Sequence, residues 1–268
     1  MDEIDNDQGQ RAAALAAASA LFANGHDWVV GPAPTIGGAI SQAIDDRYEL
    51  AAFPFVEGDH AGHQPYESAE QRLAVLDCLV ELHGASLPSG KQPEVDDLAI
   101  PARGGLFQVL DDPTSRWDSG PFAEPARQLV SRYTDALGAA FERCDELVAT
   151  VQPDTFVVTH GEPHRGNVIF TADGVRVVDW DTARRAPRER DLWALLLEDP
   201  SLSDVYFERS GVRPHEQMIA LFQLKWDLTD IALFVNDFRQ PHTENANTQT
   251  AWNGLATHLD PTRWATLL

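Results

Sequence analysis

Small and apolar residues run almost unbroken from 12 to 23 and stop at Asn24-Gly25, which predicts one alanine-rich helix with a glycine C-cap. Two short strand candidates follow, 27–30 before Gly31-Pro32 and 48–53 after the polar turn 45–47. Phe53-Pro54-Phe55-Val56-Glu57-Gly58 breaks that pattern, and the stretch up to Gln64 is rich in Gly and His, so a lobe boundary is expected there. From 68 to 83 the apolar residues fall at 73, 76, 79, 80 and 82, consistent with one buried helical face. Residues 86–125 read mostly as loop with Pro and Gly, and 124–151 as a helix. A β-branched run at 155–159 then leads into the polar loop 160–167. Val168-Ile169-Phe170 and 175–178 form two strands joined by Thr171-Ala172-Asp173-Gly174, a hairpin with Asp-Gly at its turn. A helix begins at 191, a long amphipathic one covers 217–238, and 240–268 reads as a loop with a short helix. The expected architecture is α+β. A small mixed N-terminal lobe with its hinge covers 1–58, and a mainly helical C-terminal lobe covers 59–268.

Composition narrows the function. A chain of 268 residues that is 43% hydrophobic, with seven Trp and twelve Phe, can build a core, which excludes global disorder. With 20 Lys+Arg against 42 Asp+Glu, the net charge of −22 argues against phosphate-mediated binding to nucleic acid. The same surface favours cationic ligands. Cys78 and Cys144 lie in helical-looking segments and make no disulfide framework. The first residues, Met1-Asp2-Glu3-Ile4-Asp5, are acidic, unlike a secretory leader. The longest apolar run is about half the ~20 residues of a membrane span. A cytoplasmic protein with no membrane segment is expected, as monomer or homodimer.

The chemistry concentrates in His160-Gly161-Glu162-Pro163-His164-Arg165-Gly166-Asn167 and, beyond the hairpin, Asp179-Trp180-Asp181. The hairpin returns the chain to its start and puts Asp179 beside Asn167. Two oxygen ligands, completed by phosphate oxygens and waters, suit Mg²⁺. Glu162 is then free to accept or position a substrate proton. That division of labour fits phosphoryl transfer, whose catalysis is mostly positioning and charge neutralisation.

This stretch resembles the catalytic loop and metal-binding strand of the aminoglycoside phosphotransferase (APH-like) family, relatives of protein kinases, with the pattern H-G-D-x-x-x-x-N and, after a hairpin, D-W-[DE]. The resemblance runs from about Phe53 to Phe238 and implies a protein-kinase-like two-lobe fold. It implies transfer of the γ-phosphate of ATP to a hydroxyl of a small molecule. Residue by residue, it implies Glu162 as the base and Asn167 and Asp179 as Mg²⁺ ligands. Phe53, Phe55, Val56 and Ile169 would form the adenine site. His160 would pack the loop against the core, and Asp191 would brace the loop through its backbone N–H groups. Glu162 stands where the family has Asp. Family members also carry a Gly-rich hairpin and a Lys before the hinge, whereas Lys91 and Lys225, the only lysines, both follow it. The N-terminal lobe is therefore expected to be reduced.

Other readings stay open. Asp181 touches metal or substrate, or caps the turn after it. Asp227 and Asp230, three apart on one helix face, line a pocket for a cationic substrate with Trp226, or are simply solvated. One of Arg176, Arg184, Arg185, Arg188 and Arg190 reaches the phosphates, or all five belong to a solvated loop. His160, His164 and Asp179 bind a transition metal for hydrolysis. Finally, the chain is a non-catalytic relative that binds a ligand or partner without transferring phosphate.

Overall fold

A computed structural model describes residues 4–44, 48–60, 62, 64–112, 114–264 and 267. The chain divides into two compact units, each assembled from two stretches: Met1–Asp96 with Gln152–His215, and Asp97–Val151 with Glu216–Leu268. The boundary expected at residue 58 does not coincide with this division. Segment 59–96 joins the N-terminal unit because its helix packs on strands and helices from 157–210.

In the first unit, helix α1 (Ile4–Ala23) buries Ala14, Leu15, Ala17, Ala18 and Leu21 and stops at Gly25, whose φ of 94° is the expected left-handed cap. The strand expected at 27–30 is reduced to one bridge, Val29 beside Val177. Strands β1 (Gln42–Ala43) and β2 (Glu49–Leu50) pair antiparallel, and the turn expected at 45–47 lies outside the described residues. Helix α2 (Ala69–Gly84) starts at Ser68, whose hydroxyl accepts the Gln71 N–H at 3.2 Å. Strand β3 (Val157–Thr159) pairs antiparallel with β6 (Arg184–Ala186), and β4 (Val168–Thr171) with β5 (Gly174–Val177) as the expected hairpin. Gly174 takes φ 121° at its turn. Helices α6 (Glu189–Glu198) and α7 (Leu202–Ser210) complete this unit.

The second unit is helical: α3 (Arg103–Asp111), α4 (Ala123–Ser131), α5 (Thr134–Val148), α8 (Glu216–Arg239) and α9 (Ala246–His258). Helix α3 occupies part of the expected loop. The helix expected at 124–151 is two, because Arg132 and Tyr133 turn on i→i+3 bonds to Leu129 and Val130. Leu106, Phe141, Leu224, Leu228, Val235, Phe238 and Trp264 fill the core of this unit.

No helix among the described residues is long and apolar enough to cross a membrane.

Candidate active site

Strand β3 ends at His160, which is fully buried and 4.7 Å from the Trp180 ring centre. Its Nε2 faces the Val178 carbonyl at 2.9 Å, and its Nδ1 faces the Glu162 N–H at 3.2 Å. A carbonyl only accepts and an amide N–H only donates, so the ring is the neutral Nε2–H tautomer. Burial agrees with this, holding its pKa below the ordinary histidine value against the opposing pull of Asp191. Both nitrogens are thus committed, which removes His160 from any transition-metal set. Among the described residues no group of three or more His, Cys, Asp or Glu could hold a metal.

The loop hangs from Asp191. This carboxylate, 1% exposed, accepts the N–H groups of His160 at 2.9 Å and Gly161 at 2.6 Å. His83 Nε2 donates to it at 3.1 Å, while Tyr206 lies 2.8 Å from His83 Nδ1 and itself accepts from Arg188 at 3.2 Å. Burial alone would raise the Asp191 pKa, but the hydrogen bond from His83 and the neighbouring positive charge, that of Arg190 included, hold it below the usual carboxylate value. Arg190 forms the second strut. Its guanidinium donates to Thr159 Oγ1 at 3.0 Å and to the Thr182 carbonyl at 2.9 Å, and pairs with Asp96 at 3.0 Å. Gly161 adopts φ 103°, and a Cβ there would clash with that guanidinium. Arg188, Arg190 and Arg184, which donates to the Asp181 and Ala183 carbonyls and to Gln10, are thus committed to protein groups.

Glu162, Asn167 and Asp179 are brought together by short links. Asn167 Nδ2 donates to the Glu162 carbonyl at 3.0 Å, and the Asn167 carbonyl accepts the N–H of Val178, next to Asp179, at 2.9 Å. The atom facing a carbonyl has to be the amide nitrogen, so the oxygen of Asn167 is the atom available as a ligand. The Glu162 carboxylate is 37% exposed and lies 3.8 Å from His164 Nε2. Asp179 sits in the left-handed region at φ 62°, ψ 61°, rare for a non-glycine residue and enriched at functional sites. Its pKa is raised, first by burial and then by the neighbouring Asp181. A solvent-exposed carboxylate crowded by a second one, next to a residue whose backbone N–H bonds the Asn167 carbonyl, is a donor set that fits a hard dication. Arg11 of α1 reaches Asp181 at 3.7 Å, a cation that the sequence reading did not anticipate.

The segment 53–58 forms neither helix nor strand. Phe53 and Phe55 are 46% and 93% exposed, and Val56 is half-buried. Gly58 lies against β4 so closely that a Cβ would meet Ile169 Cγ2 at 2.6 Å. Gly58, at the end of this segment, and Ile169 are therefore neighbours.

Asp227 and Asp230 belong to the second unit. Asp227 is 0% exposed and accepts from His258 at 2.7 Å, from Arg263 at 2.8 and 3.0 Å, and from Trp264 at 3.1 Å. This corrects its expected place in a substrate pocket: the carboxylate is consumed in fastening α9 and the C-terminal segment to α8. Asp230, half-buried, takes the other nitrogen of the same His258 at 3.0 Å.

Residues 6–245 match the phosphotransferase enzyme family, APH. The chain belongs to that family. Protein StrN of Streptomyces griseus is 28% identical over 253 residues, covering 91% of this chain and 76% of that protein. Stress response kinase A of Escherichia coli K12 is 42% identical over 69 residues, only 24% of this chain and 21% of that one. Spectinomycin phosphotransferase APH(9)-Ia, crystallised with ADP and spectinomycin, superposes with TM-score 0.78 at 17% identity, over 96% of this chain and 83% of its own. The APH family thus accounts for a protein-kinase-like α+β fold and for phosphotransferase membership.

Several residues around this loop had no signal in the sequence. His83, Tyr206 and Asp96 act by long-range contact, and Arg190, one of five arginines considered for the phosphates, instead braces the loop. Tyr66, whose hydroxyl donates to the Pro163 carbonyl at 2.7 Å, carried no motif at all.

Proposed function

We propose that this chain transfers the γ-phosphoryl group of ATP to a hydroxyl of a small molecule, with a cationic, aminoglycoside-like acceptor as the first class to test. The observation that carries this reading is Asn167, whose side-chain amide braces the Glu162 carbonyl at 3.0 Å while its backbone carbonyl accepts the N–H of Val178, next to Asp179, at 2.9 Å. Glu162 would take the proton as the acceptor oxygen attacks phosphorus; the bond from the γ-phosphorus to its bridging oxygen breaks, and ADP leaves. Asn167 and Asp179, with Asp181 close by, would hold Mg²⁺. Bound there, the ion neutralises charge on the phosphates and helps align them. The exposed Phe53–Val56 segment and Ile169 would receive the adenine. Glu162 reaches about 1.5 Å further than an Asp, one C–C bond. Pro163 stiffens the loop, and Tyr66 pins the Pro163 carbonyl.

The relatives support the substrate class by their names: one neighbour is a spectinomycin phosphotransferase, another a macrolide 2'-phosphotransferase. Titration calorimetry with a non-hydrolysable ATP analogue tests the reading. Micromolar affinity that requires Mg²⁺ and is lost in Asp179→Ala supports it. Absence of any binding sinks it.

The Glu at the base position favours a second reading in which the chain binds nucleotide or ligand without transfer. Binding without ADP formation across aminoglycosides, amino-alcohols and sugars would select it.

A further inference from the structure

Arg165 lies in the loop between Glu162 and Asn167, and its side chain is 0% exposed. A guanidinium out of water requires acceptors around it. Its Nη2 pairs with Asp59 Oδ2 at 2.5 Å, and its Nη1 donates to the carbonyls of Asp59 at 3.2 Å and Val168 at 3.1 Å. The Phe170 ring centre lies 4.8 Å from Cζ, and Nε is buried with no hydrogen-bond partner among the described residues. An exposed arginine would have cost less. Its burial, with one N–H unsatisfied, calls for an explanation.

Asp59 immediately follows Gly58 at the end of the hinge segment. Its backbone exchanges two hydrogen bonds with Phe170, both 2.9 Å, and Phe170 follows Ile169. A single side chain therefore joins the end of the hinge, strand β4 and the loop that carries Glu162 and Asn167. Tyr66 reinforces the same joint, with its ring edge-on to Phe170 at 6.4 Å and its hydroxyl on Pro163.

We propose that Arg165 is a positioning residue that couples the hinge to the catalytic loop, so that a nucleotide seated on 53–58 and Ile169 fixes the loop through Asp59 and Arg165. The inference rests on the phosphotransfer reading for what occupies the hinge. The planar fork is what makes the coupling stiff: two nitrogens hold three oxygens, with the guanidinium over the Phe170 ring, which a lysine cannot reproduce. The pair is also asymmetric. Asp59 is 62% exposed and tolerates the loss of Arg165, whereas the buried guanidinium tolerates the loss of Asp59 poorly.

Hydrogen exchange on the full chain, read on peptides covering 53–60 and 160–170, tests this with and without the Mg²⁺ complex of a non-hydrolysable ATP analogue. In the wild type the analogue is expected to slow exchange in both segments. In Arg165→Met the slowing persists at 53–60 and disappears at 160–170, and Arg165→Lys restores part of it. Undiminished slowing at 160–170 in Arg165→Met overturns the coupling. If that variant does not fold, Arg165→Gln must show the same split. If the wild type binds no analogue, the phosphotransfer reading falls on its own. The coupling is then decided without ligand: exchange in both segments must rise together in Arg165→Met or Arg165→Gln, and a rise confined to one segment, or none, overturns it.

Discussion

Asn167 donates its side-chain amide to the main-chain carbonyl of Glu162 across 3.0 Å. The residue proposed to bind the cation is thereby the residue that sets the backbone of the proposed base. A fault in either one is transmitted to the other through a single hydrogen bond.

Asn167→Ala should accordingly do two things. It removes a ligand oxygen, and it frees the Glu162 carbonyl, at a cost of about 1 kcal/mol for one neutral hydrogen bond. Thermal unfolding should register the small loss of stability. Mg²⁺-dependent affinity for an ATP analogue should fall by at least tenfold, and an unchanged Mg²⁺ requirement would remove Asn167 from the cation site.

Glu162→Gln keeps the shape and removes the proton acceptor. Phosphoryl transfer should drop by roughly 10²–10⁴, with nucleotide affinity retained. Steady-state kinetics on the first accepted substrate would show it as a loss in kcat. A variant as active as the wild type would transfer the role elsewhere.

Gly161→Ala should be destabilising. The position combines φ 103° with a space that the Arg190 guanidinium fills, so that a Cβ there would clash with it. The conformational cost alone is about 1–3 kcal/mol, and moving Arg190 disturbs Thr159, Thr182 and Asp96 together. Chemical denaturation of the purified variant checks the expected loss.

Asp191 gives a pH dependence of defined sign. Its folded pKa lies below the ordinary carboxylate value, so its contribution to stability is present above about pH 4 and fades as pH falls through the folded value. Asp191→Asn should be destabilised near neutrality by roughly 3–5 kcal/mol, the scale for breaking a buried pair. Its stability should also fall less steeply than that of the wild type between pH 5 and pH 3. Parallel curves would show that Asp191 carries no part of the acid limb.

His258 acts in the opposite direction. Burial would lower its pKa, but Asp227 and Asp230 together raise it to about 9. The stabilisation is complete below the unfolded value of about 6.5 and is lost as pH rises through 9. His258→Gln should lose on the order of 1–3 kcal/mol at pH 6, and this deficit should shrink towards pH 10. Melting curves across that range decide it.

What could be read from the chain alone was local. The helices over 12–23 and 68–83 announced themselves by spacing and by their caps, and the hairpin after Val168 by its Asp-Gly turn. The order of His160, Glu162, Asn167, Asp179 and Asp191 pointed to a phosphotransferase before any coordinate was known, because those residues lie within one loop–hairpin–helix stretch. Burial and pairing between distant residues were decided only by the fold. Asp227 and Asp230 look equivalent on a helical wheel, yet Asp227 is sealed because His258, Arg263 and Trp264 arrive more than thirty positions later. Arg190 looked like one arginine among five, and Arg165 like a loop residue, until Asp96 and Asp59 closed on them from positions about a hundred residues earlier. Hydrophobic period and turn chemistry are properties of neighbours along the chain. The environment of a charge depends on how far water has been excluded from around it, and that is set by residues brought in from elsewhere in the fold.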